Sequence, residues 1–267
     1  MNEFTLADGR KLTWRESGSG PPLILLHGWS MSSAVFAEAL SNLSDSFRVL
    51  APDLRGHGGS DGGQAYTLDA LVADLRLWVE HLDLEPAALA GWSLGGELAL
   101  RWALDAPQCF SRLLLLSTTP KFVAGDDWAH GLPPIQLKAM GRDLRRNYLL
   151  TMNGFFNLQF EGEALSRERH REIVTFAVRG GNLPEAEVAI ESLKTLQQSD
   201  LRGELSQLTL PTLVLHGSLD KIIPLGAGRF LAEAIPQARL LEFPTLGHAP
   251  FLSDPQGQFR LWREFLV

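Results

Sequence analysis

Short runs that are apolar on both faces, each ending in a loop and followed by a helical stretch, constrain this chain more than any other feature. Leu23-Ile24-Leu25-Leu26, Arg48-Val49-Leu50-Ala51, Ala87 to Ala90, Leu113 to Leu116 and Thr212 to His216 are such runs, too short for helices. A strand with no polar face is covered on both sides, which is the environment of a parallel sheet between two layers of helices. Residues 3–6 and 10–15 alternate instead, and with the turn Asp8-Gly9 between them they predict a hairpin at an exposed sheet edge. Thr67 is placed to cap a helix carrying Leu68, Leu71, Leu75, Trp78, Val79 and Leu82 at spacings of three and four. Further helices are expected at Glu97 to Leu104, Gly226 to Ala234 and 256–266, with a strand from Arg239 to Phe243 before the last. The expected fold is α/β, a mostly parallel central sheet flanked by helices, with ligands bound beyond the carboxyl ends of its strands.

The alternation stops for about seventy residues. Segment 120–190 offers Trp128, Tyr148, Phe155, Phe156 and Phe160 at positions expected on helices, and no strand pattern. It predicts a helical cap, residues 119–190, inserted into a core made of 1–118 and 191–267. A chain of 267 residues accommodates one such core with one insertion.

The pentapeptide Gly91-Trp92-Ser93-Leu94-Gly95 sits where a strand should turn into a helix, which is the setting of a nucleophile elbow. Such a turn lifts the serine hydroxyl above the sheet in a strained conformation, and Gly91, Gly95 and Gly96 leave the space it needs. Read alone, Ser93 also fits an ordinary helix N-cap. A serine that attacks a carbonyl needs a base, and the base needs an acceptor that fixes its tautomer. Asp220 follows the strand Thr212 to His216 and His248 follows the strand Arg239 to Phe243, so both emerge on the face expected for Ser93 and in the order nucleophile, acid, histidine. Asp220 as a helix cap and His248 as a loop histidine are the bland readings. Backbone N–H groups of Leu94 and Trp29 are the expected oxyanion donors. Among the other histidines, His27 is expected to hold the adjacent loop and His57 to line the edge of the site. His81, His130 and His170 read as solvated, and His216 as buried at a strand end.

Composition limits the rest. A single cysteine excludes an intrachain disulfide framework and a cysteine-based zinc cluster; no His-x-x-x-His pair occurs, so no metal and no cofactor are expected. A net charge of −7 argues against broad nucleic-acid binding. The start MNEFTLADGRK lacks a secretory pattern and no apolar run approaches eighteen residues, so no membrane attachment and a cytoplasmic location are expected, with a monomer as the starting assumption.

His27-Gly28, Asp53-x-x-Gly56-x-Gly58-x-Ser60, the elbow, Gly217-x-x-Asp220 and Gly247-His248 together resemble the α/β-hydrolase superfamily over nearly the whole chain. Leu26-His27-Gly28-Trp29, Gly91 to Gly96 and the cap segment Phe155-Phe156-Asn157-Leu158-Gln159, preceded by Asp127-Trp128, are similar to the carboxylesterases of biotin synthesis that act on a pimeloyl-[acyl-carrier protein] methyl ester. The resemblance implies that an acyl ester attached to acyl-carrier protein reaches Ser93, with Trp29, Leu94, Phe155, Phe156, Asn157, Leu158, Gln159 and His248 contacting it. It also implies arginines on the cap that meet the acidic carrier. Arg167 and Arg171, four apart, fit that role, whereas two further positions expected to be arginine are Leu150 and Gly154; Arg142, Arg145 and Arg146 are the residues available to compensate. Residue order leaves pocket shape open. A short-chain carboxylesterase, a lactonase, a carbon–carbon bond hydrolase, a haloperoxidase and a non-catalytic ligand receptor share the scaffold, while Ser93 in place of a carboxylate disfavours a dehalogenase.

Overall fold

The computed structural model describes residues 1–267 apart from Glu85. The expected hairpin opens the chain: β1 (Asn2–Thr5) and β2 (Lys11–Ser17) pair antiparallel around a turn in which Gly9 has φ +87°. β2 pairs antiparallel with β4 (Arg48–Pro52), beside which β3 (Pro22–Leu26), β5 (Ala87–Trp92), β6 (Phe110–Leu116), β7 (Thr212–Gly217) and β8 (Ala238–Phe243) run parallel. Among the described residues these make one eight-stranded sheet in the order β1-β2-β4-β3-β5-β6-β7-β8.

The doubly apolar runs divide their side chains between two cores. Ile24, Leu26, Leu50, Leu89, Leu113, Leu115 and Val214 pack toward α2 (Leu68–Leu82), α3 (Leu94–Asp105) and α8 (Leu225–Ala234). Their sequence neighbours, including Leu23, Leu25, Val49, Leu114 and Leu213, pack toward α1 (Ala37–Leu43) and α10 (Pro255–Leu266), which follows the single turn α9 (Pro250–Ser253). The period-two alternation of a strand puts consecutive residues on opposite faces, and each leucine removed from water contributes about 1.5–3 kcal/mol. With both faces covered, chemistry is left to the loops at the strand ends.

Segment 120–190 carries α4 (Pro134–Arg146), α5 (Tyr148–Leu158), α6 (Arg167–Ile173), a π-helical stretch Val174–Arg179 and the start of α7 (Ala186–Gln198). Among its described residues only isolated bridges at Val123–Leu132 and Gly125–Trp128 interrupt the helical pattern. Trp128 stands at an isolated bridge and Phe160 in a turn rather than on helices, and both are buried. Position 190 falls inside α7, which continues to Gln198. The helix after the elbow also begins earlier than its periodicity suggests, at Leu94 instead of Glu97, so that the turn at Ser93 is a single residue.

Candidate active site

Four loops at the carboxyl ends of β3, β5, β7 and β8 carry the residues singled out from the sequence. Ser93 has φ +55° and ψ −119°, a backbone conformation that costs on the order of 1–3 kcal/mol and persists only where the surroundings enforce it. The enforcement is visible atom by atom. A Cβ on Gly95 would lie 2.1 Å from the carbonyl oxygen of Leu26, and one on Gly91 would lie 2.2 Å from that of Gly95. The backbone is anchored by the Ser93 N–H donating to Leu116 O at 3.0 Å and by Thr118 Oγ1 donating to Ser93 O at 2.7 Å. Leu94, the first residue of α3, is fully buried, and its N–H belongs to the helix N-terminal group that has no partner within the helix.

Asp220 and His248 meet. His248 Nδ1 lies 2.8 Å from Asp220 Oδ2, while Oδ1 of the same carboxylate accepts the N–H groups of Ile222 at 2.8 Å and Ile223 at 2.9 Å. Burial alone would raise the Asp220 carboxyl; the charges and hydrogen bonds of His248 and His216 outweigh it and hold the group well below the usual carboxylate range. An ionised Asp220 accepts from Nδ1–H and leaves Nε2 of His248 with its lone pair, the tautomer a base needs. The two bonds from Ile222 and Ile223 brace the turn after β7 and do not cap α8, whose N-cap is Pro224 with no side-chain cap bond. His248 is linked to the elbow through Trp92, whose indole Nε1 donates to His248 O at 2.8 Å and whose ring lies 5.5 Å from the imidazole.

Trp29 follows β3 in a turn closed by Met31 N–H on Gly28 O at 3.2 Å. Its indole donates to Ala189 O on α7 at 3.0 Å and its ring meets Phe155 edge-on at 4.9 Å, so this one side chain spans from the core turn to the cap. The turn is held from beneath by the loop after β4: Asp53 accepts from Ser33 N–H at 2.7 Å and Gly59 N–H at 3.0 Å, and His27 Nε2 accepts from Leu54 N–H at 3.0 Å. His27 therefore holds the loop as expected, and burial keeps its pKa lowered. His57, expected to line the edge of the site, is buried. It packs against His27, with burial and the His27 charge pushing its pKa down to about 3. Of the three histidines expected to be solvated, His81 and His130 are exposed and His170 is half-buried.

The five cap residues, being consecutive on or just after α5, do not share one surface. Phe155 and Leu158 line an apolar cleft of about 330 Å³ with Phe122, Leu132, Met140 and Ile222. Phe155 and Phe156 line a second, smaller cleft with Met31, Met152 and Val178. Asn157 faces outward, 3.2 Å from His170 Nε2. Gln159 is buried with no protein partner for its side-chain amide, while its carbonyl accepts the His248 N–H at 2.9 Å. Ser93 is 5% and His248 1% exposed, and neither lines these two clefts. Arg167 and Arg171 are both exposed and line a shared hollow with His170. Leu150 is 65% exposed, and Gly154 has open space beyond its Cα.

The profile of the alpha/beta hydrolase fold family matches residues 21–255. The chain belongs to this family. Two relatives named pimeloyl-[acyl-carrier protein] methyl ester esterase are similar over almost their entire length: one from Nitrosomonas europaea is 39% identical over 90% of this chain and 93% of its own, and one from Chromobacterium violaceum is 36% identical over 93% and 95%. Among solved structures, an esterase from Exiguobacterium antarcticum superposes with a TM-score of 0.91 at 25% identity, covering 99% of this chain and 98% of its own. As an α/β hydrolase with these relatives the chain is an enzyme, and among its described residues no helix is long and apolar enough to cross a membrane.

Two residues near the centre were not given a role from sequence. His216, buried as expected, places Nε2 3.4 Å from Asp220 Oδ2 and 2.9 Å from Ile223 O. Glu163 accepts the Gly247 N–H at 2.6 Å. The i, i+4 spacing of His216 and Asp220 was a usable signal for the first; the second depends on a contact 84 residues apart in the chain, for which no local pattern exists.

Proposed function

We propose that this α/β hydrolase is a serine carboxylesterase that cleaves the methyl ester of a pimeloyl-[acyl-carrier protein] methyl ester, giving pimeloyl-[acyl-carrier protein] and methanol in biotin synthesis. The observation that carries the chemistry is the 2.8 Å contact between His248 Nδ1 and Asp220 Oδ2, made by a histidine whose carbonyl is held by the residue preceding Ser93. In the proposed cycle His248 Nε2 takes the Ser93 proton as Oγ attacks the ester carbonyl, and the N–H groups of Leu94 and Trp29 stabilise the oxyanion. The imidazolium then protonates the departing methoxide. Water enters, gives a proton to the same nitrogen as it attacks the acyl-serine carbonyl, and the imidazolium returns that proton to Ser93 Oγ as the serine leaves and the acid is released. Asp220 stays ionised throughout. The cycle uses only these side chains and water, and so calls for no metal or cofactor.

The substrate assignment is supported by the relatives at 36–39% identity. In this reading residues 119–190 act as a cap over the core of 1–118 and 191–267; Trp29, Leu94, Phe155, Phe156, Asn157, Leu158, Gln159 and His248 contact the acyl ester; and Arg167 and Arg171 meet the carrier. The protein works in the cytoplasm as a monomer. The thioester end escapes cleavage because a large carrier held outside the cap lets only the methyl-ester end of the chain reach Ser93. The exposed Leu150 and the open position at Gly154, where arginines were expected, favour a second reading, a carboxylesterase that prefers short soluble esters.

Comparing kcat/KM for methyl pimeloyl-carrier and for short soluble methyl esters separates the two readings, and Ser93→Ala tests the chemistry shared by both. We expect a carrier-linked preference in the wild type and at least about a thousandfold loss of kcat in Ser93→Ala. Undiminished turnover in the mutant overturns the assignment of Ser93.

A further inference from the structure

We propose that Glu163 is a positioning residue for His248, seating the histidine's loop through Gly247 and making the alignment of the base depend on the cap. This rests on the reading of Ser93, Asp220 and His248 given above. The chain leaves α5 in a series of tight turns, Phe160 N–H on Asn157 O at 3.2 Å and Glu163 N–H on Phe160 O at 3.1 Å, and reverses at Gly162, whose φ of +89° suits a glycine. The reversal brings two acceptors of one cap turn onto two successive N–H groups of the histidine loop. Glu163 Oε1 takes that of Gly247 at 2.6 Å and Gln159 O takes that of His248 at 2.9 Å. Gly247 is nested against both, since a Cβ there would lie 2.6 Å from Gln159 O and 2.7 Å from Glu163 Oε1.

Gly247 and His248 are buried, so their N–H groups cannot turn to water and the cap supplies what the loop needs. A carboxylate is the stronger of the available acceptors. The groups facing it are the Gly247 N–H, the Ser253 hydroxyl and the Asp220 carboxylate, with Arg167, His170 and Arg171 across the hollow that Glu163 also lines. Burial and the Asp220 charge raise its pKa while the two hydrogen bonds lower it, with burial the largest influence. Glu163 thus stands between the hollow assigned to the carrier and the loop that carries the base.

The test uses the full chain and a soluble methyl ester. Glu163→Leu removes the acceptor and should lower kcat about tenfold with KM within about twofold, the pattern of a misaligned base. Glu163→Gln keeps an acceptor and should restore kcat to within about threefold of wild type. A latch that serves only stability would lower the melting temperature of Glu163→Leu and leave kcat unchanged, and that result overturns the proposal. Should Glu163→Leu fail to fold, Glu163→Ala is read in its place, an unchanged kcat counting against. An acyl-serine probe applied to the same proteins separates the two levels: labelled Ser93 with unaltered kinetics in the variants overturns the role of Glu163 only, and unlabelled Ser93 in the wild type overturns the reading of the site.

Discussion

The elbow and the cap hold their residues by different means. Around Ser93 the contacts are backbone on backbone: the carbonyls of Leu26 and Gly95 occupy the space in which side chains at 95 and 91 would begin. In segment 120–190 they are side chain on side chain, Phe155 against Trp29 and Phe156 against Phe160, with Leu149 and Leu150 left 69% and 65% exposed. Backbone contacts leave no slack, because no exchange of side chains relieves a carbonyl 2.1 Å away. Side-chain contacts can be re-cut by single substitutions. The proposed chemistry thus falls in the inflexible part of the molecule and the proposed substrate contacts in the adjustable part.

The sharpest way to break this comparison is a pair of glycine substitutions. Gly95→Ala should destabilise by about 3 kcal/mol or more and reduce ester turnover at least about a hundredfold, since the end of β3 must shift to admit the methyl group. Gly154→Ala, on α5 with open space around its Cα, should leave the protein as stable or up to about 1 kcal/mol more so. Denaturant melts and a soluble-ester assay on both would contradict the contrast if the two behaved alike. A smaller effect tests the cap: Arg167→Glu with Arg171→Glu should lower kcat/KM for a carrier-linked ester about tenfold and for a soluble ester less than twofold. Equal losses on both substrates would remove the docking role.

The smallest effect on turnover concerns Glu97, one turn into α3. It is fully buried, accepts a hydrogen bond from Ser199 just beyond α7, and burial pushes its pKa up to about 8. An acid whose folded pKa lies above its unfolded value binds more protons in the native state, so stability falls as pH rises from about 4.5 toward 8. Glu97→Gln should flatten that slope and gain on the order of 1 kcal/mol at pH 8, read from melting temperatures across the range, with kcat unchanged.

What the sequence disclosed follows from the range of the interactions involved. The doubly apolar runs, the Thr67 cap, the elbow glycines and the placement of Asp220 and His248 after their strands are local or periodic features, and they were legible as such. The start of α3 at Leu94 was read three residues late because helical periodicity needs a full turn to declare itself, whereas the elbow turn is one residue. Trp128 and Phe160, expected on helices in a segment without a strand pattern, are buried at an isolated bridge and in a turn, where tertiary packing holds them. His57, expected at the edge of the site, is buried, because a glycine-rich loop can be packed as tightly as a core. The attachment of Glu163 and Gln159 to the histidine loop joins segments more than eighty residues apart through single atoms, which leaves no periodic trace.

Trp92 gives the proposed nucleophile and base a common ruler. One residue of the elbow reaches across and grips the main chain of His248, so any breathing of the central strands carries both partners together. A shift at this end of β5 is thereby transmitted to the histidine loop through a single hydrogen bond.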